Sequence, residues 1–361
     1  MDKDTNLIYR PFSIGSLTVP NRLVRSATFE FAADEGRITQ RHLDLWRLMA
    51  EGGCGLNITG MMATAAGGKI GPMMVECSYD GYVDDLKKAV EVAQKNHSLL
   101  FVQLNHAGYK TSPQDGHDRL GVRAMEVAPD RVYHEATLAE IQRIAEDFGR
   151  AAKRCQAAGI DGVQIHAAHG YLINTFLSPY YNHRADSYGG PMENRARLLF
   201  EVYEAVRGAV GQGYPVGVKL PISDRVEPSI TLEESVYVAQ RLEKLGLDMI
   251  EISAGLTMDG GDSSFSPAAQ EGSEGLFLYG AKAVAEKVKI PTISVGGYRR
   301  PEFVEKVLAE TPVAAISFCR PMIREPNLAN RWKTDRSPAT CLSCNLCFRS
   351  SEIIACQVDK K

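Results

Sequence analysis

The segment VQIHAAHGYLINTFLSP, from Val163 to Pro179, gathers His166, His169 and Tyr171 within six positions, where an apolar run breaks off. Two imidazoles at i and i+3 can hold a carbonyl or nitro oxygen and stabilise the charge that develops on it, while a phenol beside them can deliver a proton. A metal is the rival use of such a pair. No carboxylate lies between Val163 and Pro179 to complete a ligand set, so the oxyanion clamp is the better reading and the segment suits an enolate-handling site.

Such a trio needs a scaffold that brings distant segments to one volume. Eight short apolar, β-branched segments recur along the chain: RLVRSA at 22, GLNIT at 55, LLFVQL at 99, GVQIHA at 162, VGVKL at 216, MIEIS at 249, TISVG at 292 and AAISF at 314. Segments with apolar residues at helical spacing lie between them. Strands that are apolar on both faces and alternate with helices belong in a parallel sheet, and eight repeats predict a (β/α)8 TIM barrel, an α/β fold. An open doubly wound sheet is disfavoured because no G-x-G-x-x-G opens the first crossover. Functional residues of such barrels stand at the C-terminal ends of the strands. Read in order, those ends carry Ser26, Ala27 and Thr28, then Thr59 and Gly60, then Gln103, the histidines, Lys219, Ser253, Gly296 and Gly297, and Cys319 with Arg320.

These residues are rich in amide and cationic donors, where a barrel built only for packing would end in Val, Ile and Leu. Gly296 and Gly297 let the backbone approach an anion, and Arg320 adds a fixed cation, so the seventh and eighth strands are expected to bind a phosphate. Gln103 can donate and accept at once, which suits the imide edge of a flavin. Lys219, in an apolar strand, is expected to point inward toward an electron-rich group. The loop GLTMDGGDSSFSPAAQEGSEG after the sixth strand is expected to cover a substrate.

Composition sets the outer limits. The 361 residues carry 41 basic and 44 acidic side chains and a net charge of −3, which offers no positive field for nucleic acid and no polybasic membrane anchor. The polar start MDKDTNLIYRPF lacks a signal-peptide core and no apolar run approaches the roughly 20 residues of a membrane span, so a cytoplasmic protein with small-molecule partners is expected. The oligomeric state, a homo-oligomer included, is left open. Residues 1–335 read as the barrel and 336–361 as a tail in which Cys341, Cys344, Cys347 and Cys356 form a C-x2-C-x2-C-x8-C pattern. That spacing fits a [4Fe–4S] cluster or zinc, and a relict tail is the plain alternative.

Over roughly residues 6 to 335 the chain resembles the Old Yellow Enzyme family of flavin-dependent oxidoreductases. The resemblance rests on HAAHGYLINTFLSPYYNHRADSYGGPMENR, QLNHAG, NRLVRSAT and CRPMIREP, in order along the expected barrel. It implies an FMN across the barrel mouth, with Ser26, Ala27 and Thr28 beneath it, Gly60 and Gln103 at its pyrimidine edge, Lys219 near N1 and O2, and its phosphate on Gly296, Gly297 and Arg320, beside Cys319. It further implies that NAD(P)H reduces the flavin in a ping-pong cycle and that an α,β-unsaturated carbonyl compound takes the hydride, held by His166 and His169 and protonated by Tyr171. Phe29, Tyr109, Lys219 and Cys319 depart from commoner family residues and mark the branch of 2,4-dienoyl-CoA reductase and 2-enoate reductase, where a similar cysteine run holds a cluster. A dehydrogenase of the trimethylamine dehydrogenase kind, passing electrons to a redox partner, is the alternative enzyme. A flavin carrier without turnover would have no need of the histidines and tyrosine.

Overall fold

In the computed structural model the described residues are 6–111, 119–256, 273–349 and 353–358. The expected strands form β1 (Leu23–Arg25), β2 (Leu56–Ala63), β3 (Leu99–Asn105), β4 (Gly162–His166), β5 (Val216–Pro221), β6 (Met249–Ser253), β7 (Thr292–Val295) and β8 (Ala315–Phe318). They pair in parallel and in sequence order, β8 closing on β1, so the TIM barrel read from the sequence is the observed fold. The strands are buried almost throughout, which is why they read as continuous apolar runs rather than alternating ones.

The intervening helices include α1 (Gln40–Glu51), α2 (Val83–Lys95), α3 (Leu138–Ala158), α4 (Arg197–Val210), α5 (Leu232–Leu245), α6 (Leu278–Ala285) and α7 (Pro301–Glu310). Both α3 and α5 start with a Thr and Glu capping box, at Thr137 and Glu140 and at Thr231 and Glu234, and each ends on a left-handed glycine, Gly159 and Gly246. The N-terminal end of the barrel is plugged by an antiparallel hairpin, Phe12–Ile14 against Leu17–Val19, whose Ile14 and Val19 pack on Phe101, Met249 and Ile293.

The mouth carries a feature the sequence pattern did not reveal. Segments Leu120–Gly121, Met125–Ala128 and Arg131–Glu135 form a small three-stranded sheet after β3. It is tied to the barrel through Tyr109, whose hydroxyl donates to the carbonyl of Arg123 (2.7 Å) and accepts from its N–H (2.9 Å), and through Tyr133, packed edge-on against Tyr109. Of the loop 255–275, expected to cover a substrate, positions 257–272 lie outside the described residues. Among the described residues no helix is long and apolar enough to cross a membrane. The tail packs back on the barrel, with the N–H of Ile354 bonded to the carbonyl of Glu30 (2.9 Å).

Candidate active site

A cavity of about 850 Å³ opens at the C-terminal end of the barrel. Ser26, Ala27, Thr28, Gln103, His166, His169, Tyr171, Lys219, Gly296, Gly297, Cys319 and Arg320 all line it. Gly60 does not. Its N–H donates to Glu30 Oε1 (2.6 Å), and a Cβ there would fall 1.8 Å from the other oxygen of that buried carboxylate, so the glycine is required for Glu30 to approach β2.

Strand register explains how the floor is built. Gln103 stands beside Gln164, Lys219 beside both His166 and Glu251. Gln103 Nε2 donates to Gln164 Oε1 (2.7 Å), and Gln164 Nε2 to Glu251 Oε2 (2.8 Å). Glu251 also accepts from the hydroxyls of Ser26 and Ser317 (both 2.7 Å), and Lys219 Nζ lies 3.2 Å from it and donates to Ser26 (2.8 Å). Burial opposes the charge on Glu251, yet Lys219 and the three donors outweigh it and hold the carboxyl below its ordinary range. An ion pair satisfied on every side fixes the Lys219 ammonium at the cavity floor. Sequence reading missed Glu251, Gln164 and Ser317; an acid inside the apolar run MIEIS was the available signal.

Beyond β4 the chain turns sharply. His169 and Gly170 take consecutive left-handed conformations (φ 63° and 73°), and the Gly170 N–H donates to Asn174 Oδ1 (2.7 Å). Asn174 and Ser178 in turn donate to the buried Asp224 (3.3 and 2.6 Å). The turn sets the His166 ring 5.1 Å from that of His169 and 4.9 Å from that of Tyr171, centroid to centroid. His166 Nδ1 accepts from the Ala168 N–H (3.4 Å), which leaves its proton on Nε2. His169 Nε2 shares a 2.7 Å hydrogen bond with Ser253 Oγ. Burial, aided by Lys219 and Lys110, holds both imidazoles well below their ordinary pKa, so at neutral pH both are uncharged. Burial also raises the Tyr171 phenol well above its usual range, which keeps its proton in place. Lys110, which the sequence reading did not single out, donates to the His169 carbonyl (2.6 Å) and stands 4.2 Å from the centre of the Tyr171 ring; burial lowers its ammonium to about 7.

At the other side of the cavity Gly296 and Gly297 adopt positive φ (125° and 76°) beside Arg299 and Arg320. Arg320 donates to the carbonyl of Ser343 (3.2 Å) and to Asn345 Oδ1 (2.7 Å), joining this wall to the tail. Behind it Cys341, Cys344, Cys347 and Cys356 line one small cavity. Among the described residues no three His, Cys, Asp or Glu side chains converge as ligands of a single metal ion.

The donor set fits a flavin mononucleotide: amide, hydroxyl and ammonium groups for the pyrimidine edge, Met61, Phe29 and Phe277 for apolar ring surface, and backbone glycines with arginines for the phosphate. A family model described as "NADH:flavin oxidoreductase / NADH oxidase family" matches residues 7–338. An NADH oxidase of Thermoanaerobacter brockii is 32% identical over 345 residues, covering 92% of this chain and 52% of that protein. The solved complex of 2-naphthoyl-CoA reductase with 2-naphthoyl-CoA superposes with a TM-score of 0.86 at 26% identity, over 93% of this chain and 54% of that one. An old yellow enzyme homologue from Zymomonas mobilis gives a TM-score of 0.78 at 25% identity, over 92% of this chain and 94% of that one. The chain therefore spans about half the length of the first two proteins and nearly all of the third. With its barrel, its flavin-shaped donor set and a family match over almost the whole barrel, the chain belongs to the NADH:flavin oxidoreductase / NADH oxidase family, the FMN-dependent, nicotinamide-using oxidoreductases of the Old Yellow Enzyme kind.

Proposed function

We propose that the chain is an ene-reductase, which uses NAD(P)H to reduce a C=C bond conjugated to a carbonyl group. The observation that carries this reading is the convergence of two uncharged imidazoles and one firmly protonated phenol on a single wall of the flavin-sized cavity. Ser26, Ala27, Thr28, Gln103 and Lys219 would hold the flavin ring, and Gly296, Gly297, Cys319 and Arg320 its phosphate end. Bound FMN supplies a hydride obtained from NAD(P)H, which goes to the β-carbon of the substrate.

His166 and His169 hold the substrate carbonyl oxygen by N–H donation. Being neutral, they stabilise the enolate without protonating its oxygen. Tyr171 gives its proton to the α-carbon, and the neighbouring Lys110 ammonium favours the phenolate that remains. Lys219 places positive charge at the cavity floor, where it would offset negative charge on a reduced flavin. Purified protein should carry releasable FMN that NADH or NADPH bleaches anaerobically and 2-cyclohexenone restores. FMN that is bleached by nicotinamide but left reduced by every enone and nitroalkene would end the ene-reductase reading.

The four tail cysteines around one cavity favour a second reading, in which a [4Fe–4S] cluster passes electrons to a redox partner. Iron and sulfide in anaerobically purified protein would support it; their absence together with partner-free enone turnover would favour the first.

A further inference from the structure

Of the cations that line the main cavity, Lys110, Arg131, Lys219, Arg299 and Arg320, the last two stand at the glycine-lined end, and the tail holds both. The Ala339 N–H donates to the Arg299 carbonyl (2.8 Å), and Arg299 Nη2 donates to the Ala339 carbonyl (3.1 Å). Arg320 opens the short helix Arg320–Arg324 after β8 and is buried. Its Nη1 donates both to the Ser343 carbonyl (3.2 Å) and to Asn345 Oδ1 (2.7 Å). These two acceptors are neutral, so they set the plane of the guanidinium without cancelling its charge. Ser343 and Asn345 themselves line the cavity. Asn345 stands on a left-handed backbone (φ 62°), a conformation Asn adopts more readily than most residues, and its carbonyl accepts the Phe348 N–H (3.2 Å).

Resting on the reading in which Gly296, Gly297 and Arg320 take the flavin phosphate, we infer that Asn345 is a positioning residue of that site. It holds the Arg320 guanidinium toward the phosphate, and the tail thereby becomes part of the cofactor site. A guanidinium recognises phosphate through a planar fork, so its orientation decides how many oxygens it can serve. An arginine already tied at Asn345 also has less rotamer freedom to lose when the phosphate arrives. A bond that only anchored the tail would act on stability and not on which flavin is bound.

The test removes FMN from the purified chain and titrates the apoprotein with FMN and with riboflavin, which lacks the phosphate, reading each Kd from flavin fluorescence. The quantity followed is the preference for FMN, the riboflavin Kd divided by the FMN Kd. Asn345→Gly removes the amide at a positive φ that glycine tolerates, and should lower the preference by about 10-fold, the usual contribution of one hydrogen bond to a charged group. Asn345→Asp keeps the shape and the tie but neutralises Arg320, so the preference should fall further while Tm holds or rises. The riboflavin Kd should stay near the parent value in both. In an Arg320→Gln background Asn345→Gly should lower the preference no further. A preference unchanged in both Asn345→Gly and Asn345→Asp, or the same loss with Arg320 already replaced, overturns the positioning role. A parent that shows no preference for FMN, or one whose preference Arg320→Gln leaves intact, defeats the phosphate assignment beneath it instead.

Discussion

The chemistry of this site is set by charge states that burial dictates. Burial keeps His166 and His169 neutral, with one ring N–H each, and keeps the Tyr171 phenol protonated, the states that the proposed clamp and proton donor require. Replacing either histidine by Ala should slow flavin reoxidation by an enone by about 10²–10³-fold, the usual loss when one donor to a developing oxyanion is removed, with flavin reduction by NAD(P)H far less affected. Stopped-flow traces of the two half-reactions would measure both; equal slowing of both would mean that the histidines act on the flavin rather than on the substrate. These three residues were legible in the sequence because proton-handling side chains ended an apolar run. Gly60 was read at the flavin edge from its place at a strand end; what the structure adds is that its N–H is taken by Glu30. Lys110 and Arg131 were illegible because nothing in HAGYK or in the polar stretch around 131 tells which lysine or arginine turns into a cavity.

At the scale of elements, the turn after β4 holds the site together. Asn174 satisfies the Gly170 N–H and is itself braced by Asp224, so the left-handed pair His169 and Gly170 depends on a side chain several residues away. Asn174→Ala would leave a buried N–H unpaired and cost about 1–3 kcal/mol. It should also slow enone reduction more than flavin reduction, because Tyr171 and His169 sit on the released turn. A variant with lowered Tm but unchanged reoxidation would show that the turn holds its shape without Asn174. All eight strands could be read from the sequence because each is short, β-branched and buried on both faces. The three-stranded sheet over the mouth could not, since segments as short as Leu120–Gly121 carry no period and depend on Tyr109 and Tyr133 for their anchoring.

Across the whole molecule, buried neutral histidines couple stability to pH. Burial pushes His42 and His106 down to about 4, and His166 and His169 also fall well below their ordinary value. Between pH 6.5 and 4 the unfolded chain binds protons that the folded one refuses, so stability is full above about 6.5 and declines as pH falls toward 4. Thermal unfolding followed from pH 7.5 to 5 should show Tm falling with pH, and His42→Gln, far from the cavity, should flatten that slope; an unchanged slope would contradict the neutral state of His42. The central claim is the proposed division of labour at the open end of the barrel: bound FMN would deliver the hydride and Tyr171 the proton. Tyr171→Phe tests it most directly in anaerobic stopped flow. Reduction of FMN by NAD(P)H should remain near normal, while reoxidation by 2-cyclohexenone slows by about 10²–10⁴-fold, the usual contribution of a positioned acid, and reoxidation by a nitroalkene suffers least. Reoxidation of the Tyr171→Phe protein by cyclohexenone at the parent rate would show that the proton comes from elsewhere.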